Sequence, residues 1–134
     1  MENVFASVSQ DKCLRIWDVR QKNPTHNERT KEQILYCQFN NKDGNVLVTS
    51  NYQDEICFYD TKTWKLHKQI KFSKEVNSIM WNHDDSVLFI ADNKGCISLY
   101  DGQILEATNF EKPEVELTGV HQTRCECLAM HPDN

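Results

Sequence analysis

The stretch Val4-Phe-Ala-Ser-Val-Ser-Gln-Asp-Lys-Cys-Leu-Arg-Ile-Trp-Asp18 decides the fold of this chain. Its first half is small and apolar, and its second half alternates around Leu14 and Ile16, which is the period of a half-buried strand. Between the halves, Gln10-Asp11-Lys12 is a turn sequence with a short acidic side chain that can accept bonds from nearby backbone N–H groups. The stretch therefore predicts a β-hairpin that ends in Trp17-Asp18.

The pair that closes this hairpin has two counterparts downstream. Tyr59-Asp60 follows Trp17-Asp18 by 42 residues, and Tyr100-Asp101 follows by another 41 residues. A period of about 40–45 residues with strands that end in Trp-Asp is typical of WD40 repeats, which form the blades of β-propellers. The sequence therefore resembles the WD40 family, and the resemblance implies an all-β fold. The unrelated strands of a β-sandwich would not keep this register.

The repeats predict a single partial propeller domain over residues 1–134, with about three blades. Each blade has four antiparallel strands, a to d from the channel outward. We assign strands b to d of a first blade to 1–32, a second blade to 33–73, a third to 74–118, and the first strand of a fourth to 119–134. Residues 19–31 are too polar to favour a strand, and the outer strand of the third blade falls in 103–110 or in 114–118. We expect a fragment of a longer protein; the alternative is a half-ring that pairs with a second copy.

Composition and charge exclude several functional classes. Hydrophobic residues make up 39% of the chain, charged residues 26%, and the net charge is −5. This charge argues against a dominant basic surface for nucleic acid, and no apolar run approaches the roughly 18 residues of a membrane span. The sequence has no Gly-rich phosphate loop, no G-x-S-x-G elbow and no H-E-x-x-H helix. We therefore predict no enzymatic activity, no metal, no cofactor and no membrane partner.

The six cysteines fit buried thiols better than a disulfide framework or a zinc site. Each falls inside a predicted strand, and Cys13 and Cys96 occupy the same position of the repeat. Cys125 and Cys127 are two residues apart, which predicts that they point to one face of a strand, and they lack the C-x-x-C spacing of a zinc knuckle. We expect reduced core thiols, because free cysteine is among the most buried residue types.

Several longer segments resemble one branch of the WD40 family, the WD40 subunits of the THO complex. These segments are Glu75–Asn82, Leu88–Ile90, Asn93–Ile97 and His121–Leu128. The resemblance implies a seven-bladed propeller in the full-length protein, a nuclear location and a scaffold role in an assembly that couples transcription to messenger RNA processing and export. RNA would then be reached only through other protein subunits.

The WD40 resemblance also assigns a set of structural residues. In the first blade, Asp11 would be the turn aspartate, Trp17 the tryptophan, and Ser7 or Ser9 the hydroxyl of a side-chain network whose histidine would precede Met1. The second and third blades depart from the family in having Tyr-Asp, and the Gly-His element occurs as Gly119-Val-His121. The full structural set is Asp11, Trp17, Asp18, Tyr59, Asp60, Tyr100, Asp101 and His121.

Propellers bind partners through the rim of the channel, at the b–c turns and d–a connections. Tyr52 is the one aromatic residue of the b–c turns, and aromatic residues are enriched among binding hot spots. The alternative is an ordinary exposed turn residue. The candidate partner-binding rim comprises Tyr52, Asp54, Glu75, Asp92, Lys94 and Arg124.

Two functional hypotheses follow from these observations. The first is a non-catalytic scaffold subunit of a THO-like nuclear assembly, with other protein subunits as partners. The second is a WD40 peptide reader or substrate receptor in another nuclear complex, such as a ubiquitin ligase or a chromatin complex. Self-association is expected if the chain exists alone as a half-ring.

Overall fold

The computed structural model describes residues 3–105 and 112–132, and it arranges their strands in three antiparallel sheets. The first sheet has the order β1-β2-β3, the second β4-β5-β6-β7, and the third β11-β10-β9-β8. Apart from a short 3-10 helix over Gly102–Leu105, the regular elements are strands, so the all-β prediction is confirmed. The strands are β1 Val4–Val8, β2 Cys13–Asp18, β3 His26–Arg29, β4 Ile34–Phe39, β5 Val46–Asn51, β6 Glu55–Asp60, β7 Lys65–Lys71, β8 Val76–Trp81, β9 Val87–Asp92, β10 Ile97–Asp101 and β11 Val115–Leu117.

The decisive hairpin forms as the sequence predicts. β1 pairs with β2 from Val4 opposite Asp18 to Val8 opposite Leu14. Leu14 and Ile16 are buried while the residues between them are partly exposed, as the alternating pattern requires. β3 completes the first sheet. Its sequence is polar, so it has no apolar period from which its bounds could be predicted.

Two threonines hold β3 in place at its ends. Thr25 donates its backbone N–H and its hydroxyl to the carbonyl of Ile16. Thr30 donates both groups to the carbonyl of Lys12 in the same way. Because main-chain pairing and these caps do not require apolar side chains, a four-residue polar strand is stable here.

The second sheet is buried on both faces. Leu47, Cys57 and Tyr59 pack toward Leu14 and Ile16 of the first sheet. The alternating side chains Val48, Ile56 and Phe58 pack toward the third sheet, where Ile79, Trp81, Leu88 and Ile90 are buried. As a result, consecutive residues of β5 and β6 are buried along most of each strand, whereas burial alternates along β2.

One residue of the outer strand β7, Leu66, faces the opposite side from the one that its spacing predicts. Leu66 and Ile70 share a parity that predicts one inward side for both, and Ile70 is indeed buried. Leu66, however, is 48% exposed. The pairing of β6 with β7 shifts register between Phe58 and Tyr59, so a bulge rotates Leu66 to the other face.

The structure shows where the outer strand of the third blade lies and how the segment after it is arranged. The outer strand is β11 at Val115–Leu117, within the 114–118 alternative. Gly102–Leu105 forms the 3-10 helix instead of a strand, and residues 106–111 lie outside the described residues. The strand expected at 124–130 for a fourth blade is not paired: described residues 118–132 have no strand, because they make only scattered bonds to the third sheet. The division of the chain into blades by residue number otherwise stays a prediction.

Candidate functional site

The b–c turns and the d–a connections lie together at one end of the sheets and form the rim. Thr30 donates its backbone N–H to Lys12, Phe72 donates to Asp54, and Cys125 donates to Asp92. Each bond joins the connection that follows one blade, or the segment after the third sheet, to a b–c turn. The turns of the rim are residues 9–12, 52–54 and 93–96.

The b–c turns share one construction. The first residue of each turn is Ser9, Asn51 or Asp92, and its main-chain carbonyl accepts a bond from the backbone N–H three positions later. The donors Lys12, Asp54 and Gly95 have left-handed backbones, with φ of 65°, 57° and 77°. In the second and third turns the side chain of that first residue also accepts two backbone bonds. Asn51 accepts from Gln53 and Glu55, and Asp92 accepts from Lys94 and Cys96. These caps hold the turn apexes rigidly in the solvent.

Tyr52 occupies the apex of the second turn. Its side chain is 44% exposed, and its hydroxyl accepts a bond of 3.4 Å from Gln10 Nε2 at the matching apex of the first turn. Its backbone N–H donates to Gln33. Tyr52 is thus an exposed aromatic side chain that is braced against two blades, which lowers the entropic cost of its use in binding.

The other rim residues of the prediction are divided by burial. Lys94 and Arg124 are exposed, with Arg124 Nε 2.5 Å from Glu126 Oε1. Asp54 and Glu75 are partly buried. Asp92 is 1% exposed and is occupied by its own turn and by Lys74, whose ammonium lies 3.0 Å away. Five of the six residues are therefore at least partly exposed, whereas Asp92 is buried; their role in binding stays a prediction.

The structural residues assigned by the WD40 resemblance are arranged as follows in the first blade. Trp17 Nε1 donates a 2.8 Å bond to Ser7 Oγ, while Ser9 Oγ accepts from the backbone of Asp11. Asp11 in turn accepts from Cys13 N and from Arg15, which keeps its pKa below the ordinary value. Of the two hydroxyls proposed for the network, Ser7 is the one that contacts the tryptophan.

The aspartates that end the three c strands share a capping role. Asp18 accepts from the backbone of Arg20, Asp60 from that of Lys62, and Asp101 from that of Gln103. Asp18 also binds the Arg20 guanidinium, which lowers its pKa to about 2. The aromatic residues before them differ, since Tyr59 and Tyr100 are buried in the inter-sheet cores.

His121 is exposed and contacts the third blade through its backbone, donating N–H to Gly95. Cys125 is buried but Cys127 is exposed, so the expectation that both point to one face of a strand is wrong, because 124–130 is not a strand. Cys57 and Cys96 are also buried. Burial raises the pKa of Cys37 and Cys57 to about 11, which disfavours their reactive thiolate forms.

Asp85 makes a contact that the sequence pattern did not single out. From the a–b turn of the third sheet it reaches the a–b turn of the second, where its carboxylate accepts from Asn41 N at 2.8 Å, Lys42 N at 2.7 Å and Asn40 Nδ2 at 2.9 Å. Its φ of 58° is a left-handed conformation that aspartate tolerates better than most residues. On sequence alone, adjacent aspartates predict a solvated turn, so the clamp is visible only once the neighbouring a–b turn is placed beside Asp85.

The described residues contain no group of three or more histidine, cysteine or acidic side chains arranged to hold a metal ion. They also include no helix with the length and apolarity needed to span a bilayer.

Comparisons with known proteins agree with this architecture. No protein-family model matches the chain. The chain is 29% identical over 131 residues to THO complex subunit 3 of Arabidopsis thaliana, which covers 97% of this chain and 39% of that protein. It is 26% identical to Protein NEDD1 of Homo sapiens, covering 96% of the chain and 19% of that protein, and 26% identical over 99 residues to WD repeat-containing protein AAC3 of Dictyostelium discoideum, covering 73% and 20%.

A solved chain has the same architecture. A chain in the crystal structure of the mitotic checkpoint complex superposes with a TM-score of 0.78 over 98% of this chain and 41% of that chain, at 18% identity. The chain thus spans about two fifths or less of the proteins that it matches. From the repeats, the three sheets and these similarities, we conclude that the chain folds as a partial β-propeller of about three blades, with repeats similar to those of WD40 proteins.

Proposed function

We propose that this chain is a non-catalytic interaction subunit of a nuclear, THO-like assembly that couples transcription to messenger RNA export. The observation that carries the proposal is the similarity to THO complex subunit 3, which extends over 97% of the chain. The braced, exposed Tyr52 supplies the contact surface for a protein partner. With a net charge of −5, the chain reaches RNA through protein subunits.

The experiment is affinity purification of the tagged endogenous product from its native cells, followed by mass spectrometry of its companions. The proposal predicts that THO subunits are enriched over a mock purification. A Tyr52→Ala variant should retain about tenfold less of the direct partner, as expected for an interfacial aromatic hot spot. Val115→Ala is the matched control, since it also truncates an exposed side chain but lies on the outer strand β11.

The second candidate is a peptide reader or substrate receptor in another complex. It is supported by the similarity to proteins other than the THO subunit over nearly the same part of the chain. The same purification separates the two: ubiquitin-ligase or chromatin components without THO subunits would replace the first proposal by the second.

A further inference from the structure

Two equivalent grooves lie between neighbouring sheets, and we call each of them a seam. They differ in how far side chains of the molecule fill them. The first seam lies between the outer strand β3 and strands β6 and β7, and the second lies between β7 and strands β10 and β11. The first seam encloses a cavity of about 460 Å³, whereas the second leaves about 180 Å³. The repeat makes each residue of one seam comparable with a residue of the other.

The second seam is filled by two side chains of the connection that follows β7. The ring of Phe72 packs edge-on against Tyr100 with centroids 6.2 Å apart. The ammonium of Lys74 lies 3.0 Å from Asp92 and 3.1 Å from Glu116, and the bond to Asp92 is the main cause of its raised pKa. An aromatic ring and a cation two residues apart therefore close this groove.

The first seam lacks both groups at the equivalent positions, 42 residues earlier. Thr30 stands where the second seam has Phe72, and Glu32 stands where it has Lys74. The equivalence is structural, because Thr30 and Phe72 each donate a backbone N–H to the left-handed residue of a b–c turn, Lys12 and Asp54 respectively. The aromatic residue of the c strand is retained, as Tyr59 in the first seam and Tyr100 in the second.

The charges of the first seam are separated by depth. Glu28, Glu32 and Glu55 are partly buried, whereas the basic residues along the same groove are exposed at its edge. The charge of Glu28 contributes to the raised pKa of Tyr59, after burial of Tyr59 itself and the charge of Cys57. Glu28 has His26 Nε2 at 3.5 Å. The exposed basic residues are Arg29, Lys31 and Lys65.

The walls and floor of the first seam are apolar and aromatic. Ile34, Cys57 and Tyr59 are buried at the floor. Trp64 stacks on His26 with ring centroids 5.3 Å apart and an interplanar angle of 17°. Aromatic faces beside carboxylates attract a cation, and the apolar floor accepts a ring.

We propose that the first seam binds an extended peptide of a protein partner that inserts an aromatic side chain and a lysine or arginine two residues apart. The partner then supplies to the first seam what Phe72 and Lys74 supply to the second. The carboxylates of Glu28, Glu32 and Glu55 receive the cation, and the ring occupies the space that Thr30 leaves above the buried floor. This site adjoins the rim, because Thr30 and Glu32 lie in a d–a connection. It does not include Tyr52 and does not rest on Tyr52 binding a partner.

The test uses a fluorescein-labelled, capped peptide Gly-Phe-Ser-Lys-Gly, which carries the sequence of residues 72–74, titrated with the whole chain in a fluorescence anisotropy assay. We expect saturable binding with a dissociation constant below about 1 mM, a range ordinary for a short peptide. Replacing the peptide's lysine by glutamate, or its phenylalanine by alanine, should weaken binding at least about tenfold, and raising the salt concentration should weaken it further.

Variants of the chain locate the site. Thr30→Phe combined with Glu32→Lys copies the second seam into the first and should abolish peptide binding by filling the groove from within. Glu32→Gln should weaken binding about fivefold, and Asp101→Asn, an exposed carboxylate outside the seam, should leave it unchanged. The Glu32→Gln variant and the altered peptides keep the test decisive even where the double variant loses its fold. Absence of saturable binding, or equal affinity for the double variant, would overturn the proposal.

Discussion

Asp18 shows how one carboxylate of the repeat is tuned by its partner. Its Oδ1 accepts from the backbone N–H of Arg20 at 3.0 Å and from Arg20 Nε at 2.8 Å. The hydrogen bond from the Arg20 side chain is the largest cause of a pKa of about 2, against an ordinary value of 3.8. Because the folded pKa is the lower one, Asp18 stabilises the fold above about pH 4, and this contribution is lost as the pH falls toward 2.

We therefore predict that Asp18→Asn lowers the free energy of unfolding at neutral pH and that its difference from the wild type shrinks between about pH 4 and pH 2. Urea unfolding at a series of pH values measures this difference. Asp101→Asn is the control, since Asp101 caps a backbone N–H at the same repeat position without an arginine. A difference that stays constant down to pH 2 would contradict the assigned role of Arg20.

The cysteines differ in burial, and we therefore expect them to differ in reactivity. Burial raises the pKa of Cys37 and Cys57 to about 11, whereas Cys127 is exposed. The thiolate is the reactive form, so iodoacetamide at pH 8 should modify Cys127 first and leave Cys57 intact in the folded chain. Peptide mass spectrometry measures the order, and urea-unfolded chain is the control in which all six react. Equal rates for Cys57 and Cys127 in the folded chain would show that the core of the second sheet is open.

At the scale of elements, the Asp85 clamp joins two sheets that touch mainly through apolar side chains. Removing it deletes three hydrogen bonds to a charged acceptor, and the freed donors lie near solvent, so Asp85→Ala should cost about 1–3 kcal/mol of unfolding free energy. Asp84→Ala is matched in sequence but loses contacts within its own turn, such as the bond from Ser86 N. Chemical denaturation compares the two, and an equal loss would mean that the clamp does not hold the sheets together.

Gly95 tests how the segment after β11 is attached. Its φ is +77°, and a Cβ there would lie 2.4 Å from the carbonyl oxygens of both His121 and Thr123. Gly119 has a similar φ of +67° but open space around it. Both alanine variants carry backbone strain of about 1 kcal/mol, yet only Gly95→Ala should speed amide hydrogen exchange at Cys125, whose N–H donates to Asp92. Equal exchange at Cys125 in the two variants would contradict this attachment.

Most strands were predictable because their side chains obey a period. The hairpin at Val4–Asp18 alternates, and the 42- and 41-residue spacing carries its geometry to the next two sheets. The repeat predicts an outer strand of the first blade within 1–32, but the bounds of β3 were not predictable, because its pairing and the caps from Thr25 and Thr30 use main-chain groups. The exposure of Leu66 was not predictable, because apolar spacing does not encode the bulge in the pairing of β6 and β7.

The site was predictable only as far as turn position determines exposure. Tyr52 lies at the apex of a b–c turn, and any side chain at an apex is exposed. Asp92 lies at the start of a b–c turn, at the position of Asn51, and it is buried by its own turn and by Lys74 from the connection that follows β7. Contacts between blades depend on how the sheets pack, so a single repeat cannot reveal them.

At the scale of the whole molecule, three sheets share two apolar cores and expose two different surfaces. The rim is made of capped turns with Tyr52 as its exposed aromatic side chain among the described residues, and the first seam is an acidic groove on the outside of the blades. In the proposed function, partners of this chain bind at the rim. A surface used in this way must lose solvent access when the partners are present.

Hydrogen–deuterium exchange on the chain alone and in its purified assembly tests this claim directly. We predict slower exchange in the assembly at the rim turns 9–12, 52–54 and 93–96, with the a–b turns 40–45 and 82–86 at the opposite end unchanged. Protection confined to the a–b turns, with the rim exchanging as in the chain alone, would contradict the account.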